Sequence, residues 1–123
     1  MTDLPAIDVL LARARSRLNR VRPERLAEEL AAGAILIDTR PIEQRQRDGE
    51  LAGAIVVDRN VLEWRMDPSC EHRLSDVSYD LRIIIVCNEG YSSSLAAATL
   101  QELGLRSATD LAGGFQAWRS MTS

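Results

Sequence analysis

The sequence predicts an α/β fold with a mostly parallel central sheet of about five strands and helices on both faces. Three short apolar runs, at residues 34–38, 54–58 and 83–86, are separated by helix-like segments. Each run is almost continuously apolar, as a parallel strand covered on both faces requires. Strands that alternate with helices favour right-handed crossovers within one sheet, where ligands collect at the carboxyl edge. Asp38, Asp58 and Cys87 fall at that edge.

Composition excludes several classes of function. The chain has 123 residues, which predicts one domain over residues 1–123. A net charge of −3 argues against a nucleic-acid or anionic-membrane partner. All 15 basic residues are arginine, so Schiff-base lysine chemistry and a Walker-type phosphate lysine are excluded.

The cysteine and histidine content predicts neither a disulfide scaffold nor a metal site. Cys70 and Cys87 are the two cysteines and His72 is the single histidine, with no C-x-x-C pair. No cofactor or metal is therefore expected. The sequence shows no apolar signal core and no run of membrane-spanning length, so we expect a cytoplasmic protein with reduced thiols.

The first part of the chain is predicted to be helical. Residues 1–19 should form an amphipathic helix that packs on the domain, and residues 20–120 should form the core. The apolar side of the helix comprises Ile7, Leu10, Leu11 and Leu18, and its other side carries Arg13, Arg15 and Arg17. Val21 and Arg22 are read as a short edge strand. Pro23 then begins a helix that ends at Gly33, with Leu26, Ala27 and Leu30 facing inward.

The remaining elements are assigned from the same signals. A short polar helix is expected over residues 42–47, a short helix over 59–65 in which Trp64 is a packing residue, and a loop over 67–80. A final strand is predicted at 108–111. A terminal helix should begin at Gly113, with Phe115 and Trp118 in the core.

The stretch from residue 83 to Gly104 reads as a buried strand, a tight loop and a helix. Cys87 ends the strand and faces the helix N-terminus. Loop amides and the positive end of the helix dipole together favour thiolate over thiol, which makes Cys87 a candidate nucleophile. The alternative is a buried cysteine that only fills space beside the strand.

Four motifs of the chain resemble the motifs of one known family. An Asp-x-Arg at Asp38 and Arg40 follows the second strand, and residues 49–54, GELAGA, are similar to that family's G-H-I-P-G-A. Residues 87–92, CNEGYS, have the length of its active-site loop, C-R-x-G-x-R. Residues 113–118, GGFQAW, match its closing G-G-x-x-x-W. In this order and at these spacings, the motifs resemble a single-domain rhodanese, a sulfurtransferase, over roughly residues 20–120.

The resemblance implies a three-layer rhodanese-like fold and a persulfide cycle. Cys87 would take a sulfane sulfur from a small donor molecule or from a persulfide-carrying protein, and pass it to a thiol or cyanide. The backbone amides of the loop, formed by Asn88, Glu89, Gly90, Tyr91, Ser92 and Ser93, would stabilise the charged terminal sulfur. The sulfur is carried covalently, without a cofactor.

The loop departs from the family pattern in its charges. Members that use thiosulfate carry cations at the second and sixth loop positions, where this chain has Asn88 and Ser92, and Glu89 adds a negative charge. Thiosulfate is therefore doubtful as the natural donor, unless Arg59 or Arg65 supplies a cation from the third-strand side. Tyr91 could shape an acceptor surface or merely cover the loop.

Related phosphatases and arsenate reductases share the fold but use a loop one residue longer that ends in arginine. Ser93 stands at that position here, which argues against phosphatase activity.

A second interpretation stays open, namely a catalytically silent rhodanese-like module that binds a protein or senses redox state. Cys70 could resolve an oxidised Cys87 as a disulfide, or it could be an incidental surface thiol. Asp38 and Arg40 are assigned to structure, tying strand ends and loops together at the sheet edge. The sequence does not define the oligomeric state, for which a monomer is the default expectation.

Overall fold

The computed structural model describes residues 3–122, and its centre is a parallel sheet of four strands in the order β2-β1-β3-β4. The strands are β1 (Ile35–Asp38), β2 (Ala54–Val56), β3 (Ile83–Val86) and β4 (Thr109–Asp110). Every pair is parallel, which confirms the predicted class of sheet. The expected fifth strand is a single bridge between Val21 and Leu111, because Pro23 opens a helical turn two residues later.

Six α-helices and two short 3-10 turns connect the strands within the described residues. The helices are α1 (Ala6–Arg15), α2 (Leu26–Ala31), α3 (Ile42–Asp48), α4 (Leu62–Met66), α5 (Ser92–Glu102) and α6 (Gly114–Thr122). The 3-10 turns, Pro23–Arg25 and Arg59–Val61, lead into α2 and α4. Residues 67–80 contain neither helix nor strand, as predicted.

Side-chain alternation along the strands builds one apolar core on each face of the sheet. Ile37, Ile83 and Ile85 face a cluster that includes residues of α4 and α5. Leu36, Ile84 and Val86 face a second cluster with α2 and α6. The sheet is therefore the middle of three layers, which is the predicted architecture.

The buried face of α1 shares Leu11 with the predicted face but is rotated toward Ala14. Leu11 and Ala14 are buried, whereas Ile7 and Leu10 are 56% and 48% exposed. The facing side of α5 includes Ala98, which with Ala14 borders a cavity between the two helices. The rotation turns Arg15, expected on the outer side, toward Ser94 of α5, and the Arg15 side chain is half-buried.

Three expected packing positions are less buried than predicted. Ala27 is exposed on α2, Trp64 is 57% exposed on α4, and Trp118 is only partly buried, although Phe115 is fully in the core. Trp64 lies on a one-turn helix at the rim of the sheet, where the buried Leu62 and Met66 already fill the interior. Among residues 3–122, no helix is both long and apolar enough to cross a membrane.

Candidate active site

Cys87 lies directly after β3 and before α5, with its side chain almost buried. Its Sγ accepts hydrogen bonds from the backbone N–H groups of Gly90, at 3.1 Å, and Ser93, at 3.4 Å. Helix α5 begins at Ser92, so the positive end of its dipole lies beside the sulfur. Two amides and a helix N-terminus therefore surround this sulfur, an arrangement suited to negative charge.

The ends of the neighbouring elements fix the backbone around Cys87. The N–H and the hydroxyl of Thr39, just after β1, both donate to the carbonyl of Val86 at 2.9 Å. At the other side, the first turn of α6 donates from Phe115 N–H to the carbonyl of Cys87 at 2.9 Å. Gln116 N–H donates to the carbonyl of Asn88 at 3.1 Å. The cysteine is thus held from β1 and from α6.

The glycine pair before α6 is required by the close approach of that helix to the loop. Gly114 has φ +65°, and a Cβ placed on it would lie 2.6 Å from both the carbonyl oxygen of Cys87 and the nitrogen of Gly90. A Cβ on Gly90 would lie 2.7 Å from the nitrogen of Gly113. Backbone packs on backbone here, and any side chain would separate α6 from the Cys87 loop.

The loop side chains leave its rim without a cation. Asn88 is half-buried and its Oδ1 accepts from Gln116 Nε2 at 2.9 Å. Glu89, Tyr91 and Ser92 are exposed. Ser93 is buried, and its hydroxyl donates to Asp110 at 2.7 Å instead of facing the sulfur.

Gln116 also connects the loop to a carboxylate on α3. Its Nε2 donates to Asp48 at 2.9 Å, and Asp48 pairs with Arg47 and Arg119. The hydrogen bond from Arg47, followed by that from Gln116, holds the pKa of Asp48 well below its ordinary value.

Two arginines that the sequence analysis did not assign to the site contact the loop from outside. The carbonyl of Gly90 accepts from Arg15 NH2 at 2.8 Å and from Arg20 NH2 at 3.0 Å. Arg20 also forms a bidentate pair with the buried Asp110, at 2.9 and 3.1 Å. We call Arg15, Arg20, Asp110 and Ser94 the arginine network. The one sequence signal for the arginine network is Asp110, a carboxylate inside a short predicted strand, because a buried carboxylate needs a cationic partner.

The arginines that were predicted as donor ligands have other partners. Arg59 pairs with Glu63 at 2.8 Å, and Arg65 donates to the carbonyl of His72 at 2.7 Å. Within residues 3–122, neither is hydrogen-bonded to the Cys87 loop. Arg59 does line a cavity of about 390 Å³ at the carboxyl ends of β1 and β2, which Thr39 borders.

Asp38 and Arg40 form a buried ion pair at the end of β1. Both side chains have no exposed surface, and Arg40 donates to Asp38 Oδ2 at 2.9 Å and to the carbonyl of Gly49 at 3.0 Å. The Arg40 guanidinium also lies 3.7 Å from the centre of the Phe115 ring. The pair joins the strand end to the loop before β2 and to Phe115 of α6.

No group of three or more histidine, cysteine, aspartate or glutamate side chains within residues 3–122 is arranged to hold a metal ion. Cys70 lies in the 67–80 loop, half-buried, and its Sγ accepts from His72 N–H at 3.4 Å.

Comparisons with known proteins identify the family of the chain. The family model of the rhodanese-like domain matches residues 22–121. The chain is 30% identical over 105 residues to a thiosulfate sulfurtransferase GlpE of Pseudomonas entomophila, covering 85% of this chain and 88% of that protein.

Solved structures show the same fold. A protein of unknown function from Rhodopseudomonas palustris, RPA3614, described as a possible tyrosine phosphatase, superposes with a TM-score of 0.86 at 28% identity, covering 100% of this chain and 96% of that one. The human single-domain sulfurtransferase TSTD1 superposes with a TM-score of 0.71 at 23% identity, covering 85% and 97%. The fold, the cysteine at the end of β3 and the matched family model together show that the chain belongs to the rhodanese-like domain family.

Proposed function

We propose that the protein is a sulfurtransferase that carries sulfane sulfur as a persulfide on Cys87. The observation that supports this most is the surroundings of Sγ, which receives two backbone N–H groups at 3.1 and 3.4 Å beside the N-terminus of α5. Preorganised amide dipoles stabilise an anionic sulfur without reorganising. Relatives that are named sulfurtransferases agree with this class of reaction.

The cycle has two displacement steps. The Cys87 thiolate attacks the terminal sulfur of the donor, a new S–S bond forms, and the donor's own S–S bond breaks with its electron pair on the leaving group, sulfite from thiosulfate or a thiolate from a persulfide. A nucleophilic acceptor then attacks the terminal sulfur of the Cys87 persulfide. That S–S bond breaks and returns the Cys87 thiolate, giving thiocyanate when the acceptor is cyanide or a new persulfide when it is a thiol. No cofactor takes part in either step.

We expect a persulfide, on a small molecule or on a protein, to be a better donor than thiosulfate. Thiosulfate is a dianion, and the rim of the loop offers Asn88 and Ser92 where a cation would help, with the exposed Glu89 beside them. A like charge at a binding site disfavours an anionic ligand. A persulfide carries less charge and needs less compensation. We place this reaction in the cytoplasm, where Cys87 would stay reduced.

Phosphatase activity, suggested for the Rhodopseudomonas palustris protein, fits this loop poorly. A phosphate dianion in such a loop needs a guanidinium that faces it. Ser93 occupies that position, and its hydroxyl is committed to Asp110. The guanidinium groups of Arg15 and Arg20 bind the outer side of the loop, at the carbonyl of Gly90.

The experiment is a thiocyanate-formation assay with cyanide as acceptor, run in parallel with thiosulfate and with a low-molecular-weight persulfide as donor. We expect turnover with both, a higher kcat/KM with the persulfide, and none with Cys87→Ser. Cys70→Ser is the matched control and should retain full activity. Absence of turnover with both donors would reject the sulfurtransferase and favour the silent or redox-sensing module.

A further inference from the structure

The carbonyl of Gly90 is the point at which two arginines meet the active-site loop. Arg15, the last residue of α1, reaches it at 2.8 Å, and Arg20, in the segment before α2, reaches it at 3.0 Å. Gly90 also donates the amide that lies 3.1 Å from Cys87 Sγ. One residue therefore joins the two guanidinium groups to the sulfur.

Asp110 fixes one of these arginines and two loop-side hydroxyls. It is fully buried, forms a bidentate pair with Arg20, and accepts from Ser93 Oγ at 2.7 Å and Ser94 Oγ at 2.8 Å. Arg15 Nε donates to Ser94 Oγ at 3.1 Å. The first turn of α5 and the loop are thus joined to two distant parts of the chain.

The two arginines differ in the charge they bring. Asp110 neutralises Arg20. Arg15 forms no ion pair with a carboxylate among residues 3–122, and its guanidinium lies 5.3 Å from the centre of the Tyr91 ring. Arg15 is half-buried, so its charge is less screened than that of a fully exposed arginine. One uncompensated positive charge is therefore held behind the loop.

The contact of the two arginines with the Gly90 carbonyl also fixes the orientation of the peptide between Gly90 and Tyr91. The peptide bond is planar and trans, so its C=O and N–H groups point in opposite directions. With the Gly90 carbonyl bound to the arginines, the N–H of Tyr91 must point away from them. Rotation of this peptide would break two charge-assisted hydrogen bonds at once.

We propose that Arg15 and Arg20 are positioning residues for the sulfur-transfer site, and that Arg15 also holds one positive charge behind a loop that has no cation of its own. Their contacts hold the carbonyl of Gly90, the residue whose own N–H lies 3.1 Å from Cys87 Sγ, and the unpaired charge of Arg15 favours an anionic sulfur in the loop. The role in transfer rests on the proposed function, whereas the effect on Cys87 reactivity does not. The N-terminal helix is then part of the active site.

The test measures alkylation of Cys87 at constant pH by neutral iodoacetamide and by anionic iodoacetate, with adducts assigned by peptide mass. Arg15→Gln should slow iodoacetamide roughly three- to tenfold, as loss of a charge-assisted hydrogen bond would predict, and slow iodoacetate further. Arg15→Lys should restore the iodoacetate-to-iodoacetamide rate ratio, because it restores the charge. Arg13→Gln is the matched control, since Arg13 lies on the same helix, is exposed and should leave both rates unchanged.

Circular dichroism and the melting temperature establish that each variant is folded. If Arg15→Gln reacts with both reagents at the wild-type rates, the inference is overturned. If Arg15→Gln does not fold, Arg15→Lys decides, because a rate ratio below wild type would then contradict the role of the charge. Thiocyanate formation is measured on the same samples. If Arg15→Gln is alkylated more slowly than the wild-type protein, and the wild-type protein itself forms no thiocyanate, the positioning role is supported and sulfur transfer is rejected.

Discussion

Replacing Gly114 with alanine tests how α6 holds the Cys87 loop. The new methyl group would lie 2.6 Å from the carbonyl oxygen of Cys87 and 2.6 Å from the nitrogen of Gly90, both backbone atoms that cannot rotate away. Gly114 also has φ +65°, where an L side chain costs about 1–2 kcal/mol, and overpacking adds roughly 1–3 kcal/mol. We therefore expect the free energy of unfolding to fall by about 2–5 kcal/mol.

The matched control is Gly53→Ala. Gly53 has φ +84°, yet no atom outside its neighbours lies within 4 Å of the added Cβ, so only the backbone cost of about 1–2 kcal/mol applies. Urea unfolding gives both free energies, and iodoacetamide alkylation reports on the loop. Gly114→Ala should also slow alkylation, since Gly90 N–H must move away from Sγ. Equal destabilisation in the two variants, with wild-type alkylation rates, would refute the close packing of α6 on the loop.

Three further substitutions test the structure elsewhere. Asp38→Ala should lower the free energy of unfolding in urea by roughly 3–5 kcal/mol, because it leaves Arg40 buried without its carboxylate partner. The double variant Asp38→Ala/Arg40→Met should recover part of this loss, and additive losses would contradict the buried pair. Asp48→Asn should lower the melting temperature at neutral pH. Folding lowers the pKa of Asp48 below its ordinary 3.8, so the stabilisation by Asp48 is present above that pH and is lost as the pH falls further. The difference in melting temperature between Asp48→Asn and wild type should therefore shrink as the pH is lowered from about 4 to about 2, and a constant difference would contradict this. Leu100→Ala, at a position with no exposed surface, should cost about 2–5 kcal/mol, against about 1 kcal/mol for Leu10→Ala, at a 48% exposed position. Similar losses at the two sites would contradict the packing of α5.

The fold could be predicted from the sequence because its signals are local. The apolar run at β3 is four residues long and wholly buried, and the strand, loop and helix around Cys87 were expected within a few residues of their observed bounds. The glycine pair before Trp118 and the Asp38–Arg40 spacing are also local patterns. Each can be recognised without knowing what it contacts.

The arginine network could not be predicted because it depends on long-range placement. Arg15 and Gly90 are 75 residues apart in sequence, and Arg20 and Asp110 are 90 apart. Helical periodicity predicts α1 but not its rotation about its own axis, which depends on how the helix packs against α5. The expected edge strand at Val21 is a single bridge to Leu111 for a related reason. Strand propensity does not show how many residues of the neighbouring strand are free to pair.

The central claim is that Cys87 carries the transferred sulfur, and the most direct measurement is the intact mass of the reduced protein after incubation with a low-molecular-weight persulfide or with thiosulfate. The account predicts a gain of one sulfur atom that maps to the Cys87 peptide, is retained in Cys70→Ser, is absent in Cys87→Ser, and is discharged by cyanide. A protein that gains no sulfur from either donor, or gains it on Cys70, would contradict the account.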